Sequence, residues 1–504
     1  MKRVKVLAFI SVLFGLLCAS QGEVHEVSTA QELIELFRGV SGSTLNADII
    51  LLDDLDFSKT SINSPLGTDS NEYCVSYSGT LDGNHHSIKG LVMNNANDGV
   101  GLFCSLENAI INNLVIGSSC SFNGSTAGGL SVLGSGSLSL TNVTNKATVS
   151  GEEQVGGLLG TTNHKQGEML MIDNCLNEGQ VNGMLYYIGG FVGRIISDHA
   201  IIHISNSVNK GTITNGLTVG GFIGQIAQNR FTQVMIVNST NGGTISKAKS
   251  GSGFLGGLLL NEFSKLTISG CLNRGAVSGE SSSGFISLAT GNTETEITIY
   301  NSVNEGAITG ENNAEGFANI MDEQYLIMNC INKGTIKSGG ASCGIVFNVE
   351  VAYLFDDYNY TIVNSANKGL VHGSGMAYGI CPCVTRASNV VSMGDVNAYI
   401  PYTFWTEHSE ADLFYGLKNK CSSCQSETTL FKKKGKMFVV AATGEYVHEL
   451  LNNEAEKKHY EVNWTSQLDL VGDSLPKYSD GVVHTLSPFV YAFMFFCFFA
   501  YLLI

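Results

Sequence analysis

The chain has 504 residues, a formal net charge of −16, and charged side chains at only 14% of positions. That balance argues against nucleic acid or an anionic membrane surface as a partner, since both require a cationic face. Glycine is abundant at 59 residues and proline scarce at 5. A chain made mostly of internal strands avoids proline, because proline cannot donate a ladder hydrogen bond.

The first segment in chain order carries an export signal. Residues 1–5 are basic, residues 6–17 are apolar, and the small residues Cys18, Ala19 and Ser20 follow. Residues 1–20 therefore read as a secretory signal peptide. Residues 21–80 are expected to form an N-terminal cap of mixed α/β structure. Within it, Thr29-Ala30-Gln31-Glu32 is a capping box opening an amphipathic helix through Phe37, and Ile49 to Leu52 read as a strand. A cap has a physical purpose here, because a stack of strands exposes unpaired edges at its ends.

From Asn142 onward one motif recurs: Asn, a small residue, then Asn-x-Gly-x-(Ile/Val). Clear copies begin at Asn174, Asn206, Asn238, Asn301, Asn329 and Asn364, with a glycine variant at Gly270 and a degenerate copy at Asn142. Successive starts lie 32, 32, 32, 32, 31, 28 and 35 residues apart. A second motif, glycine followed by a large apolar residue, travels in phase at Gly157-Leu158, Gly190-Phe191, Gly221-Phe222, Gly253-Phe254, Gly284-Phe285 and Gly316-Phe317. Short alternating runs such as Ile201-Ile202-His203-Ile204 precede each copy, which is a strand signal.

Three short strands per period of roughly 30 residues predict an all-β fold, a parallel and right-handed β-helix of about ten coils over residues 81–397. At ~4.8 Å per coil the rod would be roughly 45 Å long. Leu158, Phe191, Phe222, Phe254, Phe285, Phe317, Ile345 and Ile380 should form one interior column, and Val181, Ile213, Ile245, Val277, Ile308, Ile336 and Val371 a second. The asparagines should line a corner and bond to one another from coil to coil.

Residues 398–478 break the period and gain charge, and they contain Trp405 and Trp464. They are expected to be a small mixed C-terminal cap, with Glu445 to Ala455 helical. Residues 479–504 end in a phenylalanine-rich apolar tail. The tail fits a GPI-attachment signal with lipid joined at Ser479, or else an uncleaved membrane span.

Cysteines divide into two groups. Cys175, Cys271 and Cys330 occupy a corner position filled elsewhere by serine, so they read as buried small residues. Cys381, Cys383, Cys421 and Cys424 form two close pairs that suit Zn²⁺ or disulfides. In a secreted chain, disulfides are the expectation.

The stretch Leu81-Asp82-Gly83-Asn84-His85-His86-Ser87-Ile88-Lys89-Gly90-Leu91, with Gly101-Leu102-Phe103 and Asn112-Asn113-Leu114-Val115 after it, resembles the opening coil of GLUG-type repeat proteins. The Gly-Gly-(Leu/Phe)-x-Gly copies at 156–160, 189–193 and 220–224 look like the GLUG motif itself. More broadly, residues 80–397 resemble parallel β-helix surface proteins and adhesins, including polymorphic membrane proteins. The resemblance implies a surface role and names no ligand.

β-Helices also serve as polysaccharide lyases and hydrolases, which need clustered carboxylates on neighbouring coils. Glu178 and Glu305 share a register here, but Lys210, Gly242 and Arg274 lie between them. The sequence therefore reads as a membrane-anchored extracellular protein, adhesin-like or structural, that binds a glycan or protein ligand without catalysis and without cofactor or metal. A secreted carbohydrate-active enzyme is the alternative. Tyr353, Asp356, Asp357 and Tyr358, in the longest repeat, are the expected ligand contacts. Of five glycosylation sequons, Asn123, Asn359 and Asn463 are the expected acceptors. Asn142 and Asn238 hold the ladder position, where a side chain should be engaged.

Overall fold

The computed structural model describes residues 24–416, apart from 41–42, 61, 69–73, 322–323, 348–359, 382–385, 393–395 and 405–409, together with 463–464 and 470–471. Consecutive coils pair in parallel along the whole length, giving an all-β solenoid of about ten turns. Among the described residues its three faces are sheets of 25, 13 and 11 strands. One coil shows the pattern. Ile201–Ser205 lies on the first face, the chain bends at Asn206, and Val208–Asn209 continues that face. Ile213–Gly220 then forms the second face, Ile223–Ala227 the third, and Gln233–Val237 re-enters the first directly above Ile201–Ser205.

Both apolar columns are where the periodicity puts them. Phe191, Phe222, Phe254, Phe285 and Phe317 are fully buried, with successive ring centroids 4.8–4.9 Å apart. Val181, Ile213, Ile245, Val277, Ile308, Ile336 and Val371 pair in register coil by coil. Removing one ring, as in Phe222→Ala, opens a cavity of the kind that costs ~3–5 kcal/mol.

The two asparagines of each motif have separate tasks. The first adopts the left-handed backbone that bends the chain, with φ between 46° and 56° at Asn142, Asn174, Asn206, Asn238, Asn301, Asn329 and Asn364. Gly270 fills that position in the variant copy at φ 62°. The second points inward and builds the continuous ladder, while the first also pairs between some coils, as Asn329 donates to Asn301 and Asn364 to Asn329 at 2.8 Å. Asn177 Nδ2 donates to Asn209 Oδ1 at 2.8 Å, Asn209 to Asn241 at 2.8 Å, and Asn241 to Asn273 at 2.8 Å. The same amide nitrogens also reach the carbonyl two residues on, as Asn241 does to Gly243 at 3.2 Å.

This ladder explains why the two motifs travel in phase. A Cβ on Gly179 would lie 2.0 Å from the Ala147 carbonyl oxygen and 2.6 Å from the Asn145 amide nitrogen. One on Gly157 would lie 2.7 Å from Asn177 Oδ1. Backbone on both sides presses on the asparagine amides, so only glycine fits either position.

The small residue between the asparagines is buried and linked to the next coil. Cys175 N–H donates to Ser207 Oγ at 3.1 Å, and Ser207 N–H donates to Ser239 Oγ at 3.2 Å. Cys175, Cys271 and Cys330 are buried free thiols, as expected, and burial pushes each up to about 12.

At the N-terminal end, helix α1 (Ala30–Arg38) carries the expected capping box, with Thr29 Oγ1 accepting from Glu32 N–H at 3.2 Å. It lays Leu33, Ile34 and Phe37 on the end of the core, and Phe37 packs 5.9 Å from the Tyr77 ring and 5.6 Å from the Phe103 ring. The ladder itself reaches further than the 81–397 repeat. Val24–Val27 already pairs in parallel with Asp48–Leu51, and Glu410–Gly416 still pairs with Arg386–Ser392. A disulfide joins Cys74 to Cys104, one coil away, with Cα atoms 5.7 Å apart. The sequence reading did not pick out this pair.

Candidate binding surface

Several expected site residues lie outside the described residues: Tyr353, Asp356, Asp357 and Tyr358, Ser479 at the tail, Asn359, and the cysteines Cys383, Cys421 and Cys424. The backbone of Cys381 ends the strand Val371–Cys381, and that of Asn463 begins a short antiparallel pair. Asn123 is half-buried on the second face and donates to Asn94 Oδ1 at 2.8 Å. Asn142 is engaged as expected, donating to Asn113 Oδ1 at 2.8 Å. Asn238 is not held in the same way; it sits exposed at its bend, and its equivalent on the next coil is Gly270, which has no side-chain amide to pair with it.

The carboxylates sharing a register are bracketed by cations. Glu178 lies 3.4 Å from both Lys146 and Lys210, while Glu305 lies 3.3 Å from Arg274 and 3.8 Å from Lys333. Such exposed stripes contribute little energy, but they show how charges one coil apart settle against each other on this rod.

A cleft on the second face departs from that habit. Its wall comes from a three-residue excursion, Met184-Leu185-Tyr186, which separates Val181–Gly183 from Tyr187–Gly189. The excursion is fastened on both sides. Leu185 and Tyr186 N–H donate to the Glu152 carbonyl at 3.0 and 3.1 Å, and Leu217 N–H reaches the Leu185 and Tyr186 carbonyls at 2.9 Å. Behind it the Arg194 guanidinium sits 5.0 Å from the Tyr187 ring, a cation–π contact. Met184 is nonetheless 59% and Leu185 54% exposed.

Beyond that wall the cleft, open to solvent, runs along the rod over Gly216 and Ala248 with a volume of about 470 Å³. Gly216 has φ 131°, and a Cβ there would meet the Ile188 side chain at 2.6 Å, so the floor needs glycine. Lys247 and Lys249 stand in the middle, with Glu280 and Glu311 on the following coils. Among the described residues no ion pair joins these four exposed charges. The cleft thus offers, one coil at a time, an apolar wall, a cationic centre and an anionic end. The coil from Asn174 to Asn206 spans 32 residues like its neighbours, but the excursion shows as one extra residue between Asn174 and Gly190, 16 against 15 in the next coil.

No known family model matches the chain. Over 96 residues, 19% of this chain, it is 40% identical to halomucin from Haloquadratum walsbyi, and that match spans 1% of halomucin's length. Among solved structures, a candidate immunoglobulin A1 protease from Bacteroides ovatus aligns over 54% of this chain and 84% of its own, at 16% identity and a TM-score of 0.39.

Proposed function

We propose that this chain is an extracellular surface protein that holds a ligand along the second-face cleft and does no chemistry on it. The observation that carries this reading is the cleft itself, a fastened and exposed apolar wall facing four charges that form no ion pair among the described residues. Exposed apolar side chains beside unpaired charge are what recognition surfaces present. The 96-residue similarity to halomucin agrees with a surface or extracellular role.

The finer parts of the reading rest on sequence. Residues 1–20 direct export, the repeats are of GLUG type, and a GPI signal with attachment at Ser479 tethers the chain. Glycans are carried at Asn123, Asn359 and Asn463, disulfides join Cys381, Cys383, Cys421 and Cys424, and Tyr353, Asp356, Asp357 and Tyr358 add a second contact. Release of the protein from cells by a phosphatidylinositol-specific phospholipase tests the anchor. Adhesion of purified protein to cell surfaces tests the cleft. Met184→Ser/Leu185→Ser and Lys247→Glu/Lys249→Glu should each weaken adhesion at unchanged thermal stability. Undiminished adhesion in both would overturn the assignment.

A further inference from the structure

A column of exposed rings runs along another corner of the rod, between the third face and the first. Each coil places one residue there, two positions before its first-face strand: Gly167, His199, Phe231, Phe263 and Glu294. All five have positive φ, at 80°, 54°, 47°, 50° and 50°. Bulky side chains disfavour that backbone, and elsewhere among the described residues the solenoid fills it mostly with asparagine or glycine, with His85, Gln228, Lys247 and Leu260 as the exceptions. Local strain of this kind gathers where a surface is used.

The rings stack along the rod axis. His199 and Phe231 have centroids 4.6 Å apart, and Phe231 and Phe263 lie 4.9 Å apart with planes 8° from parallel. Inner faces are covered and the flanks show only ring edges, which leaves Phe231 46% and Phe263 40% exposed. A flat face is free only at the ends of the stack. Beyond Phe263 stands Glu294, whereas beyond His199 stands Gly167, where an added Cβ would find no atom within 4 Å. One more ring fits over Gly167 at the spacing of the stack.

The rim of that position decides what kind of ring. Asp198 is exposed and holds His199 Nδ1 at 2.8 Å, and Lys165 and Gln166 are exposed beside Gly167. A phenyl group seated there would cover these polar groups and offer them no hydrogen bonds, which is costly. A pyranose has an apolar C–H face for the imidazole and an equatorial ring of hydroxyls for the rim. We propose that the His199 end of the stack is a pyranose subsite, with the sugar lying over Gly167 and a hydroxyl donating to Asp198. It lies apart from the second-face cleft and does not depend on it.

The chain has 11 histidines, few enough for ¹³C-histidine labelling to resolve His199, assigned by its disappearance in His199→Ala. The probes are the methyl pyranosides of glucose, galactose and N-acetylglucosamine, with phenylalanine amide as the aromatic competitor. At least one pyranoside should shift the His199 ring signal. Gly167→Phe, which seats the chain's own ring on His199, should abolish the shift, and Met184→Ser/Leu185→Ser should leave it intact. If Gly167→Phe does not fold, saturation transfer to the pyranoside replaces it and should vanish in His199→Ala. No shift with any pyranoside, a response only to phenylalanine amide, a shift that survives Gly167→Phe, or transfer that persists in His199→Ala would overturn the proposal. Adhesion lost in the cleft variant while the His199 shift remains would separate the two sites.

Discussion

At the residue scale, the interior of this rod is not uniformly apolar, and its polar members differ in how well they are satisfied. The ladder asparagines are engaged on both sides, so each buried amide has its partners and the column also fixes coil register. Glu315 is the opposite case. It is fully buried, it accepts from Ser283 Oγ at 2.5 Å, and its other carboxylate oxygen has no partner among the described residues. Burial pushes its carboxyl up to about 8, with the Ser283 hydrogen bond opposing part of that rise. Between its ordinary value of 4.5 and about 8, the folded chain keeps a proton there that the unfolded chain releases. Stability is then greatest below that window, falls as pH rises through it, and levels off above, with a slope of at most about 1.4 kcal/mol per pH unit. Buried His164 and His203, lowered by desolvation, act in the opposite sense as pH falls. Denaturation midpoints of Glu315→Gln compared with the parent from pH 5 to 8 isolate the glutamate: the difference should grow with pH. A constant difference would show that Glu315 does not titrate in this range.

At the element scale, the N-terminal end is held by three devices: helix α1 over the core, the Phe37, Tyr77 and Phe103 ring cluster, and the Cys74–Cys104 bridge. The bridge closes a loop of 30 residues, which the chain-entropy account values at about 3–4 kcal/mol. Coils in a solenoid couple mainly to their neighbours, so this effect should stay local. In Cys74→Ser/Cys104→Ser, amides around Tyr77 should lose hydrogen-exchange protection while those around Ile245 keep theirs. Equal loss at both would mean that the rod opens as one unit. How much of this was legible depended on whether a feature followed the period. The phenylalanine column, the glycines and the capping box each answer a local rule, and the sequence states them directly. Which of the two asparagines carries the continuous inward ladder was not legible, because both are the same residue and the bending one also pairs between some coils. The bridge could have been found from its spacing, since Cys74 and Cys104 stand about one period apart in a chain whose first residues read as an export signal. The His199, Phe231 and Phe263 column was equally available, recurring every 32 residues. The Met184 excursion is hidden from the Asn-to-Asn period but adds one residue to the spacing from Asn174 to Gly190, 16 against 15 from Asn206 to Gly221.

At the scale of the whole molecule, stability is the sum of coils and of the contacts between adjacent coils, so what matters about a deletion is its phase more than its size. Removing residues 206–237 takes out one complete 32-residue coil and joins Ser205 to Asn238, where the motif resumes at once with Ser239, Thr240 and Asn241. Asn177 can then donate to Asn241, Phe191 can stack on Phe254, and Ile201–Ser205 can pair with Lys265–Ser269, because each lost residue was the equivalent of the one that replaces it. The stack at the corner also closes up, with His199 meeting Phe263, while the cleft loses Gly216 and Leu217 from its floor. Removing only residues 206–221 costs half as much chain but sets Phe222 against Ser205, deletes the second-face strand Ile213–Gly220 so that the third-face strand Ile223–Ala227 follows the first face directly, and leaves the Asn177 amide without the Asn209 partner it has in the parent. The 32-residue deletion should therefore fold cooperatively, with the strand signal of the parent per residue in circular dichroism and His199 still answering a pyranoside. The 16-residue deletion should be recovered unfolded or aggregated. Folding of the shorter deletion alongside failure of the longer one would mean that coil equivalence is not what holds the rod together.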